Sequence, residues 1–158
     1  MNQLSNFLFR DECSKHYKMT RTLGEGSFAS VKLAIKKTDN SKWAIKCIDR
    51  GSLRPGDEVA LESEVLILES INHPNVVKLH AVYDCPKTFY MVMEVCTGGE
   101  LFDRIVEKSC YTELEAKTCF RQLAEAIKYC HENNVVHRFL KKYFRFNHTF
   151  RCLFKLID

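Results

Sequence analysis

Alternating apolar and polar positions predict β-strands through the first half of the chain. Val31, Leu33 and Ile35 alternate with polar or small residues, which is the periodicity of a half-buried strand. Residues 38–41 supply a turn after this strand. Further segments predicted as strands are residues 17–23, 42–48, 76–83 and 88–95. We therefore expect an antiparallel sheet of five strands.

Apolar residues spaced by three or four positions predict helices elsewhere. Residues 58–71 carry one such stripe, and a short helix is expected from Glu100 onward. Thr112 and Glu115 have the spacing of a capping box, which predicts a long helix ending near Asn133. The apolar face of this helix contains Ala116, Cys119, Phe120, Leu123, Ile127 and Cys130. Strands and helices in this order indicate an α+β fold.

A loop containing glycine lies between the first two strands. It reads Leu23-Gly24-Glu25-Gly26-Ser27-Phe28-Ala29-Ser30-Val31. The glycines let backbone N–H groups approach a polyphosphate, because a Cβ would hold the chain away. A strand follows the glycines instead of a helix, so the loop is expected to lie over its ligand as a flap. Ala44 and Lys46 share one face of the third strand, which places a small residue and an ammonium under this flap.

Glu64 lies inside the apolar stripe of the first long helix, three residues after Leu61 and four before Leu68. An acid on a buried face needs a cationic partner, since removing one partner of a buried pair typically costs ~3–5 kcal/mol. Lys46 is the candidate partner. The alternative is that Glu64 lies at the edge of the stripe and reaches solvent.

The glycine loop, the strand after it and Ala44-Ile45-Lys46 together resemble the N-terminal lobe of protein kinases. The resemblance implies that Gly24 and Gly26 cradle phosphates, that Lys46 holds the α- and β-phosphates of ATP, and that Glu64 orients Lys46. Ala29 stands where the family pattern has a third glycine. Because alanine resists positive φ, the flap is expected to be stiffer.

The same resemblance assigns roles around a connector at residues 96–99. It places Met93 at the back of the adenine pocket and the backbone of Glu94 and Cys96 against the adenine edge. Glu100 would lie near the ribose or a substrate. The run from Gly98 to Val106 and the helix after it are similar to the calcium/calmodulin-dependent and AMP-activated kinase branch, a serine/threonine class. The implied reaction is phosphoryl transfer from Mg-ATP to a protein substrate.

The resemblance extends over residues 17–138 and then departs from the family pattern. After Val135-Val136-His137-Arg138, the catalytic loop should continue with the Asp that accepts the proton of the substrate hydroxyl, but Phe139 is there. Phe144 stands where the metal-binding Asn is expected. Lys141 falls on the loop's usual lysine, and Asp158 resembles the magnesium-binding Asp. We therefore expect at most weak nucleotide binding and impaired catalysis.

Bulk composition is that of an ordinary globular chain. Of the 158 residues, 46% are hydrophobic and 28% charged, and the longest apolar runs are too short to span a bilayer. Eight cysteines occur without a C-x-x-C pair, which favours reduced, buried thiols at Cys119 and Cys130 and a cytoplasmic or nuclear location.

The positive charge of the chain is concentrated in residues 139–158, which hold five Lys or Arg residues and one acid. The basic balance is therefore no sign of nucleic-acid binding by the domain. As a helix, this tail would place aromatic residues opposite basic ones, like a calmodulin-binding or membrane-surface segment. As strands, it would be a divergent version of the hairpin that follows a kinase catalytic loop. Thirdly, part of it could be translated from unspliced or frame-shifted DNA.

The predicted organisation is a lead-in at residues 1–16, a kinase-like N-lobe at 17–95, a connector and partial C-lobe at 96–138, and the divergent tail. On this hypothesis the large lobe is truncated. The alternative to a nucleotide-binding kinase domain is a non-catalytic binding module, in which the helix after Thr112 exposes an apolar face to a partner.

Overall fold

The computed structural model describes residues 8–9, 12–26, 29–96, 101–136, 144–146 and 150–152. Its strands are β1 (Leu8–Phe9), β2 (Tyr17–Glu25), β3 (Ala29–Lys36), β4 (Lys42–Asp49), β5 (Leu79–Asp84), β6 (Thr88–Glu94), β7 (Phe144–Phe146) and β8 (Phe150–Cys152). Its α-helices are α1 (Cys13–His16), α2 (Asp57–Ser70), α3 (Leu101–Lys108) and α4 (Glu113–Glu132), and Arg50–Ser52 forms a 3-10 turn. The helices and strands expected in residues 17–133 are present, although β5 begins three residues later than the pattern indicated.

The chain divides into two compact units. The first contains β1 to β6 with α1 and α2. The second contains α3, α4, β7, β8 and the segment Ile71–Val77. None of the described helices has the length and apolar character needed to cross a membrane.

The sheet of the first unit has the strand order β1-β5-β6-β4-β3-β2. Strands β2 to β6 pair in antiparallel fashion, as predicted. The sixth strand, β1, was not predicted; it pairs in parallel with β5, with Leu8 opposite Val82 and Phe9 opposite Tyr83. The sequence pattern left this segment in an irregular or short helical lead-in because two residues are too few to show alternation. In the fold, β1 covers an edge of β5 that would otherwise present unpaired backbone groups.

The two faces of this sheet are covered by different elements. Ile45 on β4 and Val92 on β6 are cross-strand partners in a buried cluster that also includes Cys13 and Tyr17 from the N-terminal segment. This face is therefore covered by α1 and the residues around it. Lys46 alternates with Ile45 and points to the opposite face, where α2 lies.

Cys119 and Cys130, predicted as reduced thiols, are free cysteines, and so are Cys13, Cys47, Cys85, Cys96 and Cys110. Burial raises the pKa of the Cys13 thiol to about 12, with Cys47 and Cys85 nearby adding to the effect. Burial likewise raises the pKa of Cys130 to about 11, whereas Cys119 is only half-buried. Such thiols stay protonated at neutral pH and are poor nucleophiles.

Helix α4 begins with the predicted capping box: Thr112 Oγ1 accepts from the N–H of Glu115, whose carboxylate accepts from the N–H of Thr112. The prediction for its buried face was partly wrong. Phe120 is 68% exposed, whereas Ala126 is buried together with Cys130. The buried part of α4 is thus a narrow stripe that contains Ala126 and Cys130. The apolar face of the helix is wider than the surface that covers it, so the residues at its edges remain in solvent.

The segment Ile71–Val77 lies against α4 within the second unit. The N–H of Asn72 donates to Tyr129 Oη at 3.1 Å, and the ring of His73 lies 5.0 Å from that of Tyr129. Val76 donates to the carbonyl of His73 in a turn, which explains why β5 starts only at Leu79.

The tail forms strands where the structure describes it. Strands β7 and β8 pair in antiparallel fashion, with Arg145 opposite Arg151 and Phe146 opposite Phe150. The hairpin interpretation is therefore confirmed for these six residues, and the helical interpretation is wrong there. An alternating arrangement of Phe and Arg satisfies the two-residue period of a strand.

We expect the carboxyl of Glu115 to titrate far below an ordinary glutamate. Hydrogen bonds from Lys108 and from Thr112 hold its pKa at about 2. Because the folded-state pKa is below the unfolded value, the interaction stabilises the protein above pH ~4.3 and is lost as pH falls toward 2. Carboxyl-detected NMR should show this low midpoint, and Lys108→Gln should raise it. A midpoint unchanged by Lys108→Gln would contradict the assignment.

Candidate nucleotide site

Lys46 lies in the middle of the first unit's sheet. Val31 on β3 and Met91 on β6 are its cross-strand partners. One step along the strand, Ala44 lies between Leu33 and Met93. Residues directly opposite each other share a face, so Ala44 and Lys46 form part of one surface with Val31 and Met93. This arrangement agrees with the predicted placement of a small residue beside an ammonium.

Glu64 on α2 meets Lys46 on this surface. Lys46 Nζ donates to Glu64 Oε1 at 3.1 Å, and the two side chains are 15% and 2% exposed. The pair predicted from the acid in the apolar stripe is present, and the alternative of a solvent-facing Glu64 is wrong. A buried carboxylate of this kind is retained only with a cationic partner.

The second oxygen of Glu64 is a buried acceptor without a partner among the described residues. Buried polar atoms are rarely left unsatisfied in native proteins, so each exception needs an explanation. Lys46 has three N–H donors, and the pair uses one of them. Among the described residues, the pair therefore leaves one acceptor oxygen of Glu64 and two N–H donors of Lys46 unused. This fits a site that binds a further polar group.

The loop between β2 and β3 closes as a hairpin. Gly24 pairs with Val31 and Glu25 with Ser30, and the N–H of Gly26 donates to the carbonyl of Ala29 at 2.8 Å. A Cβ on Gly26 would lie 3.4 Å from that carbonyl oxygen, which is an ordinary van der Waals contact, so this hydrogen bond does not itself require glycine. Ser27 and Phe28, at the tip, lie outside the described residues.

Ala29 is accommodated without backbone strain. It is the first residue of β3, opposite Ile48 on β4, and its φ is not positive. The residue that replaces the family's third glycine thus has the conformation of a strand, which alanine adopts freely. The positive φ that motivated the expectation of a stiffer flap is not required at this position.

The residues assigned to the adenine end are partly described. Met93 is buried, whereas Leu23, Glu94 and Cys96 are half-buried. The N–H of Glu94 donates to the carbonyl of Lys78, so a contact from its backbone to a ligand would use its carbonyl. Glu100, Phe139, Lys141 and Asp158 lie outside the described residues. Nucleotide binding by these residues stays a prediction.

No group of three or more His, Cys, Asp or Glu side chains is placed to hold a metal ion within the described ranges. Phe144, at the position expected for a metal-binding Asn, carries no oxygen on its side chain. Oxygen ligands are what Mg²⁺ requires, so the side chain of Phe144 cannot supply one.

One residue near this surface carried no sequence signal. Arg50 contacts α2 and the end of β5 through residues 8 and 34 positions away. A lone arginine after a strand is common, and no periodic pattern links it to partners so distant.

Comparison with known proteins identifies the same region. The family model described as the protein kinase domain matches residues 17–147. The chain is 48% identical over 126 residues to calcium/calmodulin-dependent protein kinase type 1 of Caenorhabditis briggsae, covering 79% of this chain and 35% of the relative.

Two further relatives show the same proportions. The enzyme of the same name from Caenorhabditis elegans is 47% identical over 126 residues, covering 79% of this chain and 36% of the relative. Myosin light chain kinase A of Dictyostelium discoideum is 42% identical over 130 residues, covering 82% of this chain and 44% of the relative. The chain thus spans less than half the length of the curated relatives it matches.

Proposed function

This chain belongs to the protein kinase domain family, on the serine/threonine branch that includes the calcium/calmodulin-dependent kinases, and we propose that its first unit binds ATP without supporting useful phosphoryl transfer. The observation that carries the binding proposal is the Lys46–Glu64 pair on the sheet surface. In the family, the lysine of this pair holds the α- and β-phosphates and the glutamate orients the lysine.

The proposed binding mode assigns a role to each described element. The hairpin at Gly24 and Gly26 lies over the phosphates, and Lys46 donates to phosphate oxygens while Glu64 fixes its direction. The small side chain of Ala44 leaves room for a flat base on the same surface. Val31 and Met93 supply apolar contacts on either side of this base.

Loss of catalysis is proposed from two residue identities. A phenyl side chain at Phe139 cannot accept the proton of a hydroxyl, and one at Phe144 cannot ligate Mg²⁺. The proposed role is therefore that of a pseudokinase, a kinase-like module that binds nucleotide and acts through binding. The relatives' names include calmodulin, but the hairpin of β7 and β8 is not the helix that the tail-mediated proposal required.

Binding of ATP to the purified chain tests the first part. The double variant Lys46→Met/Glu64→Leu keeps the packed volume and removes the cation, and we expect at least about tenfold weaker ATP binding by calorimetry. Lys42→Met is the matched control, because Lys42 is exposed on the same strand, four residues away. It should bind as the wild type does. Absence of saturable ATP binding by the wild type would contradict the proposal.

Phosphoryl transfer is assayed on the same preparations. With Mg-ATP carrying a radiolabelled γ-phosphate and a basic serine peptide, we expect no transfer above that of heat-denatured protein. Transfer that is present in the wild type and abolished in Lys46→Met/Glu64→Leu would overturn the proposal of lost catalysis.

A further inference from the structure

Arg50 joins α2 to the far end of the sheet in the first unit. Its Nη1 donates to Glu58 Oε1 at 2.6 Å, and its Nη2 forms an ion pair with Asp84. Nε donates to the carbonyl of Cys85 at 3.2 Å, and the guanidinium lies 5.7 Å from the ring centroid of Phe89. The planar guanidinium of arginine has five N–H donors and can bind partners that lie in different directions. The ammonium of lysine is a compact point charge and is less suited to this arrangement.

The backbone of Arg50 is held at the same place. Its N–H donates to the carbonyl of Lys87 at 3.0 Å, so both main chain and side chain are attached to the turn between β5 and β6. The connection that follows, up to α2, contains Gly56 with φ +98°. Gly56 adopts this conformation without steric cost, and the connection is held locally by the N–H of Arg54, which donates to Asp57 Oδ2 at 2.8 Å.

The contacts of Arg50 bear on the position of Glu64. Arg50 follows Lys46 by four residues along the chain, and Glu58 precedes Glu64 by six residues on α2, about 9 Å along the helix axis. The pair at 3.1 Å tolerates little displacement, because hydrogen bonds weaken steeply with distance and angle. Leu61, Val65 and Leu68 hold α2 on the sheet by apolar contact, and the Arg50–Glu58 pair, with side chains 25% and 62% exposed, adds a directional contact at the first turn.

We propose that Arg50 is a positioning residue, which anchors the first turn of α2 to the β5–β6 turn and thereby holds Glu64 against Lys46. The consequence for ligand binding rests on the proposed function: Arg50 would set affinity for the phosphates of a nucleotide and leave affinity for the nucleoside unchanged. The position of Lys46 itself can be measured without nucleotide.

The nucleotide-free test measures how readily Lys46 is acetylated. Mass spectrometry gives the acetylation rate of Lys46 relative to exposed Lys42 in the same molecule, which cancels differences in reagent and concentration. We expect Arg50→Gln to raise this ratio about fivefold or more, the usual scale of coupling between sites. Glu58→Ala, which removes only the contact of Arg50 with α2, should raise it less.

Two controls separate positioning from general destabilisation. Lys87→Gln removes a cation from the same turn without touching α2, and Ile45→Val weakens the opposite face of the sheet; both should leave the ratio unchanged. If Arg50→Gln does not fold, as reported by Trp43 fluorescence, Glu58→Ala decides. An unchanged ratio in the folded variants, with only a lower melting temperature, would overturn the proposal.

The nucleotide test uses ATP and adenosine side by side. In Arg50→Gln we expect about fivefold weaker ATP binding and unchanged adenosine binding. An equal loss for both ligands would indicate a structural role and contradict positioning. If the wild type binds neither ligand, the proposed function fails, while the acetylation ratio still decides whether Arg50 holds the pair.

Discussion

Lys46→Met should lower the free energy of unfolding by about 3 kcal/mol or more. The change leaves the carboxylate of Glu64, whose side chain is 2% exposed, without its cation. Breaking a buried pair from one side typically costs ~3–5 kcal/mol, because an uncompensated charge stays buried. This is a large share of the ~5–15 kcal/mol that stabilises an ordinary domain.

The double variant separates the loss of the Lys46–Glu64 attraction from the cost of leaving the Glu64 carboxylate buried without a cation. Lys46→Met/Glu64→Leu removes both charged groups and keeps apolar volume, and such replacements are often neutral or stabilising. We therefore expect it to be more stable than Lys46→Met alone. Urea unfolding followed by the fluorescence of Trp43, the single tryptophan, reports on the first unit because this residue lies on β4. Equal stability of the single and double variants would contradict the buried-pair assignment.

Lys42→Met is the control for loss of a lysine from β4. Lys42 is exposed near the start of the strand, and substitutions at such positions usually change stability by less than about 0.5 kcal/mol. A cost comparable with that of Lys46→Met would show that strand propensity, and not the ion pair, dominates.

The Lys46–Glu64 pair could be predicted because two local patterns each mark one partner. The strand period puts Lys46 beside Ala44, and the helical period puts Glu64 inside an apolar stripe. Electrostatics then joins them, since a buried acid needs a cation. Neither pattern needs the positions of other elements, and the resemblance to protein kinases then favours Lys46 as the partner of Glu64.

Strand β1 and the contacts of Arg50 could not be predicted, because no local pattern marks either of them. A parallel pair of two residues has no period, and its register against Val82 and Tyr83 depends on where the chain returns. Arg50 contacts residues 8, 34 and 35 positions away, which only the folded sheet brings together.

The apolar face of α4 and the tail show a third limit. The helical period identifies a wide apolar face, but it does not say which part is covered, and Phe120 is exposed. In the tail, aromatic residues fit a helix period and a strand period equally well. Pairing between β7 and β8 decides for the strand, and pairing is not a local property.

Tyr83→Ala should destabilise the first unit by about 3–5 kcal/mol, the usual cost of deleting a buried ring. Tyr83 is 4% exposed on β5. The rings of Phe9, His16 and Tyr17 surround it at centroid distances of 5.2, 5.6 and 6.0 Å. The substitution therefore also removes the contacts that hold β1 and α1 on the sheet, and trypsin should cleave after exposed Lys15 much faster than in the wild type.

Two variants define what that result means. Tyr83→Phe keeps the ring and its packing, so it should cost only about 1 kcal/mol and leave cleavage at Lys15 slow. Phe120→Ala deletes a ring of similar size that is exposed on α4, so it should change stability little. Tyr83→Ala could instead lower stability while Lys15 stayed protected. In that case the N-terminal segment would be held by its backbone pairing with β5 and by Cys13, independently of the rings around Tyr83. If both stability and protection were unchanged, the packing of α1 and β1 against this face of the sheet would be wrong.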